Sequence, residues 1–385
     1  MLSGADSRLF VTRLVDLLSN ATSKGGSVQL TVDAGAQDAA FDGLAALGED
    51  VKGAVVAIEP SSGRILAMAS LPSYDPNELA GHDFGAVAAR YEQLNEREDQ
   101  PLLNRAIQTR LAPGSTFKIV TAAAAIEQLD YRADSQVPGG ASYQLPETRE
   151  ESGLIDNDGR DCGSDKIPFT QAMGNSCNTT FARLAVQLGA DRMLDQAEAF
   201  GFNSSYLNDL SPQAQSTFPE EMGQASTGQT GIGQFEVQAT PLQMAMVSAA
   251  IANGGTVMRP YLVDTVLTPE LEPLPPTDPE ELSRAISAQT ADVLTDLMVY
   301  TVESGTASAA AMDGVEVAGK TGTAQSGQDD VPPYAWFTSF APADDPQVAV
   351  AVMIQSAPGT ERGEIAGGAL GGPIAKAVME AVIEP

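Results

Sequence analysis

Ser115-Thr116-Phe117-Lys118 follows Pro113-Gly114 and opens an Ala-rich apolar run, a pattern that predicts a helix start with Lys118 one turn beyond Ser115 on the same face. A serine hydroxyl is a weak nucleophile at neutral pH, and a lysine kept neutral is one of the few side chains able to take its proton. Backbone N–H groups at the same helix start would face an oxyanion formed there. Two further groups have residue types that such chemistry uses. Ser176-Cys177-Asn178 stands before a helical run and offers a hydroxyl and a carboxamide from a loop. Lys320-Thr321-Gly322-Thr323 ends an apolar run and offers a cation, two hydroxyls and a glycine that permits close substrate approach. Taken singly, each has an ordinary explanation: a capping serine beside an exposed lysine, an N-cap cluster, a strand end. Lysine is scarce, however, occurring at Lys24, Lys52, Lys118, Lys166, Lys320 and Lys376, so a well-placed one is informative.

Several other chemistries are excluded. His82 is the only histidine, in the loop-like run Gly81-His82-Asp83-Phe84-Gly85, so a multi-histidine metal site cannot form. No G-x-S-x-G elbow occurs to seat a Ser-His-Asp triad, and any transfer or hydrolysis must use another base. Gly314-Val315-Glu316-Val317-Ala318-Gly319-Lys320-Thr321 matches the phosphate-binding G-x-x-x-x-G-K-[ST] pattern letter for letter. That reading needs a buried strand before its first glycine and a helix opening at the lysine. Here Ser304 to Asp313 is small and polar, and Gly322-Thr323-Ala324-Gln325-Ser326-Gly327 follows, so the context opposes it.

The elements that must position these residues are readable in outline. Ser27 to Val32 alternates as a strand, and Asp33 is placed to cap an Ala-rich helix to about Leu47. Gly53 to Glu59 and Arg64 to Ser70 form a strand pair across Pro60-Ser61-Ser62-Gly63. Residues 103–253 read as mainly helical, with periods at 115–129, 168–188, 189–199 and 240–253. After the Pro-rich, acidic stretch Leu267 to Asp278, a helical period resumes over Pro279 to Thr301. Val315 to Thr323, Tyr334 to Phe340 and Val348 to Gln355 read as strands, and Gly372 to Ile383 as a final helix. Arg8 to Leu18 is amphipathic and is followed by a polar stretch, so residues 1–26 read as a remnant of a preceding segment.

With 385 residues and 43% hydrophobic content the chain can bury a core, built mostly from Ala, Val, Leu, Ile and Met because aromatics are only 5%. The formal charge of −30 opposes binding to nucleic acid or anionic lipid. No stretch reaches the roughly 18 consecutive apolar residues of a membrane span.

The order S-x-x-K, S-x-N, K-T-G-T, on a helix, a loop and a strand of an antiparallel sheet, resembles the penicillin-binding proteins. Within that group the chain is similar to the transpeptidase domain of the class B, monofunctional enzymes. Leu111 to Lys118, Gly231-Ile232-Gly233-Gln234 and Thr240 to Ala245 carry the likeness, which covers residues 27–385. The resemblance implies an α/β (α+β) fold of the serine β-lactamase/transpeptidase type: a five-stranded antiparallel sheet flanked by helices, with a helical subdomain. It implies that Ser115 attacks the carbonyl of a D-Ala-D-Ala stem peptide with Lys118 as base, and that D-Ala leaves behind an acyl-enzyme. An amine from a neighbouring stem resolves it as a cross-link. Ser176 would relay a proton to the leaving amine, and Asn178 would bond the substrate amide. Lys320, Thr321 and Thr323, with Gly322 between them, would hold the terminal carboxylate that β-lactams mimic, and the N–H groups of Ser115 and Thr323 would form the oxyanion hole. Burial and a second ammonium at Lys320 would both disfavour charge on Lys118.

No cofactor or metal is implied. The family further implies cell-wall synthesis in growth or division, a place on the extracytoplasmic face of the membrane, an N-terminal anchor helix with a pedestal domain, and a SEDS-family glycan polymerase as partner. Export in turn makes a disulfide between Cys162 and Cys177 expected, restraining the loop from Asp161 to Asn178; the alternative is two buried thiols. A penicillin sensor, a D,D-carboxypeptidase or a β-lactamase shares the framework. The class A β-lactamases need a Glu-x-x-Leu-Asn element after S-x-N, and the nearest string, Glu92-Gln93-Leu94-Asn95, is a residue short, lies upstream and reads as a helix end.

Overall fold

The computed structural model describes residues 26–149, 152–327, 331–361 and 365–384. The amphipathic run Arg8 to Leu18 lies outside the described residues. Two apolar runs, β1 (Lys52–Ile58) and β2 (Ile65–Leu71), pair antiparallel across the turn at Gly63, as their pattern predicts. Three strands from the far end of the chain, β3 (Ala318–Ala324), β4 (Tyr334–Ala341) and β5 (Val348–Ser356), complete a five-stranded antiparallel sheet in the order β3-β4-β5-β1-β2. The expected fold class is the one observed.

The helices that frame the sheet and the site are α1 (Ala34–Ala45), α2 (Lys118–Leu129), α3 (Phe169–Gly174), α4 (Asn178–Leu188), α5 (Pro241–Ala252), α6 (Ala288–Ser304) and α7 (Gly367–Ile383). Both faces of the sheet are covered, which is why β1, β2 and β5 read as nearly continuous apolar runs. Alternate residues of a strand go to opposite faces. Val348, Val350, Val352 and Ile354 therefore join one core with α1 and α7, while Ala349, Ala351 and Met353 join the other with α5. The small side chains on the second face let α5 lie close.

Helix starts follow local chemistry. Asp33 Oδ1 accepts from Ala36 N (2.8 Å) at α1, Thr240 Oγ1 from Gln243 N (3.1 Å) at α5, and Ser287 Oγ from Thr290 N (3.2 Å) at α6. The central helix α2 is buried at every residue from Lys118 to Ile126, a placement that its alanines permit because they pack closely on more than one side.

Four expectations need correction. Residues 279–301 are not one helix: Glu281–Arg284 pairs antiparallel with Thr256–Met258, and α6 opens only at Ala288. The polar segment is held extended by a partner distant in sequence, which periodicity does not register. The block from 103 to 253 also contains short strands, Gln136–Pro138 paired with Lys166–Pro168 and Ser142–Gln144 with Leu154–Asp156. The strand expected from Val315 begins at Ala318, since Met312 and Val315 bridge around Gly314. Helix α7 starts at Gly367, five residues before the expected Gly372. Its glycines weaken helix propensity but allow contact with the sheet: a Cβ on Gly371 would lie 2.7 Å from Phe337 Cβ.

Candidate active site

The serine–lysine segment is shaped by Gly114. Its φ is +53°, and a Cβ there would stand 2.7 Å from Thr323 O, so only glycine brings the turn this close to the outer edge of β3. Gly114 N donates to Gly233 O (3.0 Å) and Thr121 Oγ1 to Gly231 O (2.9 Å), so the segment Gly231–Gln234 buttresses the turn from behind. Thr116 turns its N–H and hydroxyl back onto Pro113 O, at 3.4 and 2.7 Å. Ser115 consequently lies in a single 3₁₀ turn, Gly114–Phe117, and the α-helix opens one turn later, at Lys118 itself, rather than at Ser115 as expected.

Ser176 and Asn178 occupy the junction of α3 and α4. Cys177 N donates to Ala172 O (2.9 Å) and Ser176 N to Met173 O (3.0 Å), the paired bonds of a helix end closed through a left-handed residue. That residue is Ser176, φ +55°, where glycine would be the relaxed choice; holding serine there costs on the order of 1 kcal/mol. Cys177 is bonded to Cys162, and this tie fixes the strained junction to the loop before it. The loop closed by the bridge spans 15 residues, so reduction is expected to destabilise the fold by about 3 kcal/mol. Equilibrium unfolding with and without reductant, alongside thiol titration of the denatured, unreduced protein, checks this: no thiol should titrate before reduction.

These segments surround one cleft of about 760 Å³. Ser115, Ser176, Asn178, Thr321 and Thr323 line it, while Lys118 and Lys320 lie beneath, both 0% exposed. Lys118 Nζ donates to Ser176 O and Asn178 Oδ1, each at 2.7 Å, and lies 3.2 Å from Ser176 Oγ. Lys320 Nζ donates to Ser176 Oγ and Thr321 O, both at 3.0 Å. The Ser176 hydroxyl thus joins two amines that stand within about 6 Å of each other. Among the described residues no hydrogen bond is made to Ser115 Oγ, which opens on the cleft. Gly322 lies on β3 where a Cβ would meet Pro113 O at 2.9 Å, so its smallness serves the packing of the serine turn against the strand.

Burial sets the electrostatics. Desolvation first, then the neighbouring Lys320 and Arg160, hold the Lys118 amine well below the ordinary lysine range, with Asp158 opposing. Burial, followed by Arg160, brings Lys320 down to about 7. A neutral amine has two N–H donors, enough for the two 2.7 Å acceptors of Lys118, and keeps a lone pair for a proton.

The cleft also holds residues to which the sequence assigned no role: Ile232 and Gln234 within the segment Gly231–Gln234, Gln229 and Phe235 flanking it, and Asp158 and Arg160 from the loop before Cys162. The Gly-x-Gly spacing carried a signal for the first group. For the second, the only cue was an arginine inside the acidic, turn-forming run Asp156-Asn157-Asp158-Gly159-Arg160-Asp161. His82 is an exposed loop residue, and Glu92 is exposed in the last turn of the helix Phe84–Asn95, outside the cleft lining. Lys320 lies mid-strand and not at a helix start, which removes the phosphate-loop reading. No cluster of His, Cys, Asp or Glu among the described residues is arranged to hold a metal ion.

A cleft-lining serine above a buried lysine whose basicity burial lowers, set between a helical subdomain and the edge of an antiparallel sheet, is the arrangement of a serine acyl-transfer enzyme. The model of the penicillin-binding protein transpeptidase domain matches residues 53–380, and the chain belongs to that family. Over its whole length it is 42% identical to the peptidoglycan D,D-transpeptidase PbpA of Mycolicibacterium smegmatis, covering 78% of that protein. It is 40% identical to the PbpA of Mycobacterium tuberculosis, again with 78% of that protein covered. The ceftriaxone acyl-enzyme complex of penicillin-binding protein A from M. tuberculosis superposes with a TM-score of 0.89 at 40% identity, covering 99% of this chain and 85% of that one.

Proposed function

We propose that this peptidoglycan D,D-transpeptidase uses Ser115 as its nucleophile and Lys118 as the base that activates it. The observation that carries the assignment is the pair of fully buried amines meeting at Ser176 Oγ beneath the cleft opened by Ser115. Neutral Lys118 takes the hydroxyl proton as Ser115 Oγ attacks the carbonyl of the penultimate D-Ala. The N–H groups of Ser115 and Thr323 stabilise the oxyanion. Loss of one such donor from a preorganised pair costs roughly 3 kcal/mol of transition-state stabilisation. Protonated Lys118 returns the proton through Ser176 to the leaving amine, D-Ala departs, and the acyl-serine ester remains. An amine from a second stem attacks the ester, loses its proton by the reverse route and leaves as the cross-linked product.

The substrate peptide lies along the free edge of β3, whose unpaired backbone groups are a ready template for another strand. Asn178 bonds its amide. Lys320, protonated, with the hydroxyls of Thr321 and Thr323, takes the terminal carboxylate, and Gly322 allows the approach. β-Lactams occupy the same place and acylate Ser115. The proposal places residues 27–385 as the transpeptidase domain at the extracytoplasmic face of the cell membrane, held by an N-terminal helix that precedes a pedestal segment and acting beside a SEDS-family glycan polymerase. The family and, for the compartment, the Cys162–Cys177 bridge support this. No helix among the described residues is long and apolar enough to cross a membrane.

Incubation with benzylpenicillin followed by intact mass tests the reading. One equivalent should add and persist. Rapid loss of the adduct with release of penicilloate would mean a β-lactamase instead, and aminolysis by a D-amino acid of the acyl-enzyme formed from a D-Ala-D-Ala donor separates a transferase from a sensor.

A further inference from the structure

Asp158 and Arg160 are the only charged side chains among the described residues that line the cleft, and none of the steps above uses them. They stand on a rigid turn. Asn157, 2% exposed, fixes it by donating from Nδ2 to Gly140 O (2.9 Å) and accepting at Oδ1 from Thr179 N (3.0 Å). Arg160 Nε donates to Asn157 O (2.7 Å), and Nη2 to Asp158 Oδ2 (2.5 Å). Nη1 makes no hydrogen bond among the described residues, so the guanidinium is oriented while part of its fork stays open to the cleft. Asp158 Oδ2 accepts also from Asn178 Nδ2 (3.2 Å), whereas Oδ1 is left open. The charge pair therefore adjoins the carboxamide assigned to the substrate amide, on the wall formed with α4, while Thr321 and Thr323 belong to β3.

This arrangement is unexpected in a chain of net charge −30, whose long-range field repels anionic ligands. A substrate with one carboxylate is already provided for by Lys320 and the two threonines. A second cation, held beside Asn178 with a carboxylate next to it, is complementary to a second anionic group carried on the same centre as an ammonium.

We propose that Arg160, steered by Asn157 and Asp158, recognises a side-chain carboxylate on the stem-peptide residue that precedes the D-Ala pair, with Asp158 receiving the adjacent ammonium. The donor is then a stem whose third residue is a diamino-dicarboxylic acid, in preference to a diamino-monocarboxylic acid. The assignment rests on the transpeptidase reading of the cleft and goes beyond it by naming the substrate class.

The test uses two acyl donors ending in D-Ala-D-Ala that differ only in the third residue: a lysine side chain, or one whose terminal carbon bears both ammonium and carboxylate. Each competes with benzylpenicillin for the enzyme, and the readout is the ratio of their kcat/KM values within one protein, so any change in Lys118 basicity cancels. Wild type should favour the dicarboxylate by about 10- to 100-fold, the scale of a charge-assisted hydrogen-bond pair. Arg160→Gln should bring the ratio to within about twofold of unity, and Arg160→Lys should keep part of the preference. An even ratio in wild type, or a preference that survives in Arg160→Gln, overturns the proposal. If Arg160→Gln does not fold, Asp158→Asn serves, with an expected partial loss, and an unchanged ratio there counts against the assignment. Benzylpenicillin acylation of wild type with no discrimination between donors sinks this inference alone, whereas no acylation at all sinks the transpeptidase reading with it.

Discussion

Ser115→Ala is expected to form no covalent adduct with benzylpenicillin and to lose acylation by a D-Ala-D-Ala donor by ~10⁴-fold or more. Nothing nearby can replace the lost hydroxyl. Ser176 is 1% exposed and its Oγ is held by both lysines, and Thr116 Oγ1 is committed to Pro113 O. The substitution removes one oxygen from a side chain that makes no hydrogen bond among the described residues, so stability should stay within about 0.5 kcal/mol of wild type. Intact mass after penicillin exposure and a denaturant melt read the two effects separately. An adduct that still forms on the alanine variant would displace Ser115 from the mechanism.

Lys118→Met should lower acylation by about 10³-fold, the usual scale for a lost general base. The accompanying pH behaviour makes the assignment specific. In the proposed mechanism Lys118 acts when neutral, so acylation of wild type should rise with pH through its lowered pKa. In the same mechanism Lys320 acts when charged, so activity should fall again as it loses its proton above about 7, although two amines this close titrate as a pair. The acid limb of this bell should vanish in Lys118→Met, because the residual reaction no longer depends on that proton.

Stability has its own signature, independent of catalysis. Both lysines carry folded pKa values below their unfolded ones, so between the two values the unfolded chain binds more protons and stability rises with pH. For Lys320 the window runs from about 7 to the unfolded value near 10.4. Each lysine adds up to about 1.4 kcal/mol per pH unit there, and below the folded value its destabilisation is complete and constant. Unfolding free energies at pH 7 to 10 should climb less steeply in Lys118→Met and in Lys320→Met than in wild type. Equal slopes would mean that the amines are not held neutral by the fold.

Much of the frame was legible because its signals are local. The valine and alanine runs that became β5 and β1, the Asp33 cap and the Thr240-Pro241 helix start each follow from short-range pattern and chemistry. So did the three motifs, whose residue types are unusual in a chain with few lysines and one histidine. What stayed hidden depends on partners far along the chain. Glu281–Arg284 looks helical until Thr256–Met258 pairs with it, and Gly367–Gly372 looks like a loop until the sheet lies against it. The left-handed Ser176 could not be read from a sequence position where glycine is the norm. Asp158 and Arg160 escaped for a related reason: a charged pair in a polar loop resembles solvent-facing surface until folding turns it toward a cleft.

The most direct measurement is to locate the penicilloyl group. Trypsin cuts after Arg110 and Lys118, which isolates Leu111–Lys118 as one peptide containing Ser115. After exposure to benzylpenicillin and denaturing digestion, fragmentation of that peptide should place a single acyl group on Ser115. The adduct on a peptide containing Ser176, on any other residue, or nowhere would contradict the account.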